Sequence, residues 1–313
     1  MPTKAISLTP EYREYVWGGQ RLRPGQKTAE AWIIYEGNVI QNGPWAGLTL
    51  GEAAGHFPAE LLGSKPLAHT GQRFPLLIKL LDCAEWLSVQ VHPDDELAVQ
   101  LEGQGQFGKT EAWHFLNAEP TAEILGGLKP GTTPEMLAQA IRGGDLLEIV
   151  QHLPVHSGDS IFIPAGMLHA LGPGLLLYEI QQTSNITYRV FDWNRPASAG
   201  RPLHIEQSLA VTKPDLTGKV IPAQPFTDGE RRSLIKCPYF NLELVGNQGG
   251  TLSLDTARES FHVLTVTEGQ ATVAGERWSV HLGPRETVLV PAAAGHYRVK
   301  AQEPFQALLA YVA

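Results

Sequence analysis

The sequence predicts a mainly β protein: two related units of β-sandwich or barrel type, with a small helical insertion in the first half. Three observations carry this. Short apolar and β-branched runs recur between glycines (32) and prolines (23), which punctuate the chain without gathering into a linker. Helical periodicity is confined to a few stretches. One segment also occurs twice: IFIPAGMLHAL (161–171) is echoed by VLVPAAAGHYRV (288–299), with Pro164/His169 matched by Pro291/His296. Upstream, WHFLNAEPTAEILGG pairs with FHVLTVTEGQATVAG in the same way.

Taken in order, 49–62 reads as a helix broken at Pro58. FPLLIKLL (74–81) and WLSVQVH (86–92) read as strands. A helix over 94–101, with its insertion reaching about 106, starts with acidic residues in its first turn, where the helix dipole favours them. The next helical stretch, 132–153, has Pro134 at its start and a Gly143-Gly144 break. Strands follow at 160–163, 175–180 and 187–193, then a short helix at 203–211. The rest alternates strands and turns: FNLEL, TLSLD, FHVLTV, ATVAG, ETVLV and FQALLAYV. This divides the chain into a domain over 1–220, with the helical insertions, and a second over 221–313.

Composition narrows the function. A chain of 313 residues suits two ordinary domains. The 43% hydrophobic and 18% charged fractions, with a mean hydropathy of −0.12, describe an ordered globular protein. Lys+Arg number 24 against 32 Asp+Glu, a net charge of −8, which argues against nucleic acid or an anionic membrane as partner. Two cysteines, Cys83 and Cys237, exclude a disulfide scaffold and a cysteine-rich zinc site. No run reaches the roughly 18–20 apolar residues of a membrane span, and the N-terminus lacks a signal-type apolar block. The expectation is a cytoplasmic protein, monomer or homodimer, in which the sequon at Asn185 carries no meaning.

GQGQFGKT (103–110) fits both the P-loop and the dinucleotide glycine patterns. Both need a strand before the glycines and a helix after them. Here the preceding DDELAVQLEG reads as helix and the following TEAWHFLN as strand, so no helix N-terminus faces a phosphate. The motif is rejected.

A metal constellation is the stronger signal. Gln90 and His92 sit at i and i+2, on one face of a strand, and Ser88 shares that face. Glu111 opens a later strand, and His169 ends the string GDSIFIPAGMLH (158–169). Two imidazoles, a carboxylate and an amide suit Zn²⁺ with positions open for substrate. The second copy keeps His296 without a Gln-x-His pair or an acid in the Glu111 place, so no metal is expected there. The remaining histidines, His204 and His262 among them, lack partners at useful spacing and read as structural or exposed.

The string 158–169 resembles the second motif of the cupin superfamily. PLLIKLLDCAEWLSVQVHPDDELA, GKTEAWHFL, YEIQQTSNITYRVFDWNR, VWGGQRL and AEAW, with the part beginning CPYFNLE, resemble the type I mannose-6-phosphate isomerases, in their short bacterial branch, over nearly the whole chain. The resemblance implies a bicupin fold, one zinc per chain and interconversion of mannose 6-phosphate and fructose 6-phosphate. It implies Gln90, His92, Glu111 and His169 as zinc ligands and Arg189, Lys109 and Glu179 as catalytic groups. Ser88 and Lys79 fall near the sugar phosphate, and Trp17 and Glu30 in blocks that line the pocket. Val16 stands where larger relatives carry an acid before Trp-Gly, so that contact does not transfer.

Aldose–ketose isomerisation needs fixed positive charge for a developing oxyanion and a group to carry a proton between two carbons. Lys109 and Glu179 are the candidates for the second role. A phosphate held by a chain of net charge −8 needs a local basic cluster, and Arg189, Lys109, Lys79 and Arg195 are available. Salt-bridging to Asp192 is the competing role for Arg189 and Arg195. Two other functions fit a cupin: an iron dioxygenase, disfavoured by Gln90 and the basic cluster, and a non-catalytic sugar-phosphate binder.

Overall fold

The structure is a computed structural model that describes residues 4–195 and 201–312. Its residues fall into two compact units. The first comprises Tyr12–Trp32 and Ile78–Ala223, the second Met1–Glu11, Ile33–Leu77 and Gln224–Ala313. The division is therefore not the linear one at residue 220: the stretch 33–77, with its helices, groups with the C-terminal strands.

The first unit is built on two sheets. Seven strands lie in the order β1 (Glu11–Arg13), β2 (Glu30–Ile34), β3 (Leu76–Cys83), β10 (Leu175–Gln182), β5 (Glu111–Ala118), β8 (Ser160–Ile163) and β12 (Val220–Ile221). Five more lie as β11 (Tyr188–Phe191), β4 (Val89–Val91), β9 (His169–Leu171), β6 (Glu123–Leu128) and β7 (Val150–Pro154). Their facing sides make one core, in which Leu81, Trp113, Phe115, Ile161, Leu175 and Leu177 meet Ile124 and Leu171. Strand alternation sends Val89, Val91, Tyr188 and Val190 to the opposite face. There Leu137 of α5 (Pro134–Gly143), Leu146 of α6 (Leu146–Ile149) and Val211 of α7 (Ile205–Val211) cover them.

In the second unit the five-stranded sheet runs β13 (Arg231–Lys236), β14 (Asn241–Asn247), β21 (Phe305–Tyr311), β16 (His262–Glu268), β19 (Thr287–Val290). The four-stranded sheet runs β15 (Gly250–Asp255), β20 (His296–Ala301), β17 (Ala271–Ala274), β18 (Ser279–Leu282). Val245, Leu264, Val288 and Leu309 of one sheet share a core with Leu254, Val273, Tyr297 and Val299 of the other.

The helices begin where their caps dictate. Thr49 and Glu52 form a capping box at α1 (Leu50–His56), and Pro58 opens the separate α2 (Pro58–Leu61). Asp94 accepts a bond from Leu97 N at 3.1 Å to start α4 (Asp95–Glu102). Helix α3 (Ser64–Thr70) was not foreseen. The expected helix over 132–153 ends early: Gly144 takes a left-handed conformation, and Val150–Pro154 is strand β7, paired with β6. The rejection of the glycine motif holds, since α4 precedes the glycines and β5 follows them. Gly108 is instead a close-approach residue; a Cβ there would lie 2.5 Å from the Asp94 carbonyl carbon.

The repeat is visible in register. Glu111 pairs with Ile163, just before Pro164, and His262 pairs with Val290, just before Pro291. The equivalence of His169 and His296 does not survive. In β20 alternation turns Tyr297 and Val299 inward and His296 outward, where its Nδ1 lies 3.2 Å from Asp255. The inward place belongs to Tyr297, whose hydroxyl is 2.8 Å from His262 Nδ1. What is a carboxylate–imidazole pair in the first unit is a phenol–imidazole pair in the second.

Candidate active site

The site begins with register. Across β11, β4 and β9, Arg189 pairs with Gln90 and Gln90 with His169, so the three side chains share one face in a row. The turn before His169 is fixed by Gly166, at φ +90°, whose N–H donates to His92 O at 2.8 Å. A Cβ at Gly166 would meet the movable Lys213 side chain at 2.8 Å, so it is the left-handed conformation that requires glycine there. That bond ties the His169 turn to the end of β4. From the seven-stranded sheet come Glu30 on β2, Lys79 on β3, Glu179 on β10 and Glu111 on β5.

His92, Glu111 and His169 are buried, with ligand atoms all within 4.8 Å of one another. His92 Nδ1 lies 2.9 Å from Ile186 O and His169 Nδ1 lies 2.8 Å from Met167 O. Each Nδ1 must carry its proton to donate there, so a neutral ring presents its Nε2 as a lone pair. Both Nε2 atoms point at Glu111: His169 Nε2 is 3.2 Å from Oε1 and His92 Nε2 is 3.6 Å from Oε2. Glu111 Oε1 is buried and makes no hydrogen bond. Gln90 Nε2 reaches His169 Nε2 at 3.3 Å.

Electron-pair donors aimed at an orphaned carboxylate oxygen repel one another unless a cation lies among them. In this structure the Lys109 ammonium supplies the positive charge, 2.8 Å from His92 Nε2 and hydrogen-bonded to Glu111 Oε2. Burial alone would raise the Glu111 pKa, but Lys109, then the two imidazoles, hold it well below the usual carboxylate range. Burial and Lys109 push His92 well below the ordinary imidazole value, keeping it neutral. The donor set of two imidazoles, a carboxylate and a carboxamide fits a zinc ion.

Beside this cluster is a cavity of about 380 Å³, lined by Trp17, Glu30, Lys79, Ser88, Gln90, Lys109, Glu179 and Arg189 among others. Two buried glutamates face Lys79, Glu179 at 2.9 Å and Glu30 at 3.9 Å. Each is anchored by an indole: Trp113 Nε1 donates to Glu179 at 2.8 Å and Trp32 Nε1 to Glu30 at 2.6 Å. Burial lowers the Lys79 pKa, but Glu179 and Glu30 more than reverse this, so the lysine stays charged.

Of the residues singled out for the site, Gln90, His92, Glu111, His169, Arg189, Lys109, Glu179, Ser88, Lys79, Trp17 and Glu30 lie in the cluster or the cavity. Arg195 does not; it is held by Asp192 at 2.8 Å, Glu85 at 3.2 Å and Trp86 O at 2.7 Å. Arg189 escapes that fate, donating to Ser88 Oγ at 3.2 Å and Pro202 O at 3.0 Å. Sequence reasoning missed five polar lining residues: Tyr15, Asn185, Thr187, Arg201 and His204. Tyr15 stacks on Trp17, with ring centroids 5.7 Å apart. His204, read as structural or exposed, brackets Arg189: its Nδ1 accepts from Arg189 N at 3.2 Å and its N donates to Arg189 O at 2.8 Å. Arg201 follows a Pro- and Ala-rich stretch without periodicity, so nothing in the sequence signalled it.

The chain has recognisable relatives. The family profile described as phosphomannose isomerase type I, catalytic domain, matches residues 6–114. Mannose-6-phosphate isomerase ManA of Bacillus subtilis is 33% identical, over 96% of this chain and 97% of that protein. Mannose-6-phosphate isomerase of Streptococcus mutans is 35% identical, over 89% and 90%. The crystal structure of mannose 6-phosphate isomerase from Bacillus subtilis superposes with a TM-score of 0.85 at 29% identity, covering 98% and 99% of the two chains. Identity of about a third along nearly the full length of both proteins, together with the shared architecture, establishes that the chain belongs to the type I phosphomannose isomerase family.

Proposed function

We propose that the protein is a zinc-dependent aldose–ketose isomerase that interconverts mannose 6-phosphate and fructose 6-phosphate. The observation that carries this is one cavity, lined by fixed guanidinium and ammonium charge, beside an imidazole and carboxylate donor cluster. Family membership supports the same reading. Gln90, His92, Glu111 and His169 would hold the ion. Bound there, zinc supplies Lewis acidity toward the sugar oxygens at C1 and C2.

This chain's own residues do the rest. Arg189, kept in place by His204 and Ser88, presents a cation without rearrangement, the condition under which a developing oxyanion is best stabilised. Lys109 and Glu179 are the groups able to carry the proton between C1 and C2. Lys79 and Ser88 offer donors to the substrate phosphate, while Trp17 and Glu30 shape the sugar's place. The walls of Leu81, Leu87 and Leu171 reduce water around the reacting carbons.

We also read the two units as a pair of cupins, on the strength of the matched registers around Pro164 and Pro291. A cytoplasmic location agrees with two buried, free cysteines. No helix among the described residues is long and apolar enough to cross a membrane.

The deciding experiment is conversion of mannose 6-phosphate by purified protein, before chelation, after it, and after zinc is restored. Activity lost and regained with zinc is the expected result. A zinc-loaded protein that binds the sugar phosphate without turning it over would instead be a sensor. Deuterium exchange at C1 and C2 in Lys109→Met and Glu179→Gln then identifies the proton carrier, which is the variant that abolishes exchange.

A further inference from the structure

The positive charges of the cavity are unequally committed. Lys79 is offset by Glu179 and Glu30, and Lys109 by Glu111. Arg189 has no carboxylate partner among the described residues. Arg201 Nε shares Asp192, at 3.0 Å, with Arg195, at 2.8 Å. Uncompensated charge therefore collects at one corner of the cavity, around Arg189 and Arg201. Ser88 stands between them: its Oγ accepts from Arg189 Nε at 3.2 Å and from Arg201 Nη2 at 3.1 Å. Both lone pairs of that hydroxyl are then used, which leaves its O–H as a donor.

We propose that Arg201 is a substrate-anion ligand. With the Ser88 hydroxyl it forms the seat of the phosphate dianion, beside Arg189, whose guanidinium stays with the developing oxyanion, and so sets the preference for phosphorylated over unphosphorylated sugars. This rests on the isomerase reading for its substrate, though not for its anion. Asp192 acts as a counter-ion beside Nε, which makes no hydrogen bond, while Nη2 is directed at Ser88. A second carboxylate would cancel the charge, and among the described residues the corner has none. Burial and the neighbouring guanidiniums Arg189 and Arg195 lower the Arg201 pKa, against the opposing pull of Asp192. An incoming dianion relieves that like-charge crowding.

The test uses zinc-loaded protein and the variants Arg201→Ala and Arg201→Lys. A charge-assisted bond to phosphate corresponds to about 10- to 100-fold in affinity. Arg201→Ala should raise KM for mannose 6-phosphate by about that factor while kcat changes less than about threefold, and Arg201→Lys should recover part of the loss. Independently of turnover, the rise in melting temperature that inorganic phosphate gives the wild type should shrink in Arg201→Ala. Unchanged KM together with an unchanged phosphate shift overturns the proposal. So does a fall in kcat at constant KM, which would make Arg201 part of the reacting machinery or the scaffold. If the wild type fails to isomerise the sugar phosphate, the isomerase reading is lost, and the phosphate shift alone still decides the role of Arg201.

Discussion

His169 Nε2 stands 3.2 Å from Glu111 Oε1, while its Nδ1 is committed to Met167 O at 2.8 Å. The backbone carbonyl thereby selects the tautomer that presents a lone pair to the cluster. His169→Ala removes a buried donor at the start of a three-residue strand, where its ring lies 5.4 Å from that of Trp113. Zinc affinity should fall by more than about 100-fold, the upper range for losing even an outer partner of a ligand, and activity with it. The far-ultraviolet spectrum should remain β-rich. Full activity in zinc-free His169→Ala would remove His169 from the ligand set.

How far the sequence reveals this site depends on how local each signal is. Gln90 and His92 were legible because alternation along one strand puts i and i+2 on the same face. His169 was legible because Pro164 and Gly166 mark a turn. Arg201 and His204 were not, since their places depend on hydrogen bonds to Ser88 and Arg189, far away in sequence. The fold shows the same boundary. Strand β8 was predicted to the residue, whereas β7 was taken for helix because LLEIVQHL has apolar residues at helical spacing until Leu153 pairs with Ile124. The grouping of the N-terminal segment with the C-terminal strands rests on pairings such as Ile6 N to Leu289 O, 2.7 Å, which no local pattern announces.

Lys79 faces two buried carboxylates, and the arrangement predicts an asymmetry. Lys79→Met leaves Glu30 and Glu179 together without a counter-charge. Glu179→Gln leaves Lys79 with Glu30 still 3.9 Å away. Breaking a buried pair costs about 3–5 kcal/mol when a charge is stranded. Urea denaturation should place Lys79→Met in that range and Glu179→Gln clearly below it. Equal losses would mean that Glu30 does not share the lysine.

Arg189 touches Ser88, Pro202 and the cavity, but none of His92, Glu111 or His169 through a hydrogen bond. Arg189→Ala should therefore keep its zinc while turnover drops by about 10²–10³-fold, as for removal of one preorganised oxyanion donor. Metal analysis alongside steady-state kinetics separates the two effects. A change confined to KM would reduce Arg189 to a binding residue, and loss of metal would place it in support of Gln90, its partner across β4.

His262 and His114 are buried histidines outside the active site whose lowered pKa makes stability depend on pH. His262 Nδ1 bonds Tyr297 at 2.8 Å and its ring lies 5.3 Å from that of Tyr311. Burial, then Arg231, push its pKa to about 4, with Asp255 opposing. In the other unit burial likewise takes His114 to about 4, against Asp159. An unfolded histidine titrates near 6.5. Between about 4 and 6.5 the unfolded chain binds protons that the native protein refuses, so stability rises with pH across that window and levels off above it. Each group contributes about 3 kcal/mol at the acid end. His262→Gln keeps a hydrogen-bonding group beside Tyr297 but cannot titrate. Its melting temperature, followed from about pH 4.5 to about pH 8, should climb less steeply than that of the wild type below pH 6.5 and run parallel above it. Curves that stay parallel throughout would show that the native protein does not lower the His262 pKa, and the acid sensitivity would then have to come from other groups such as His114.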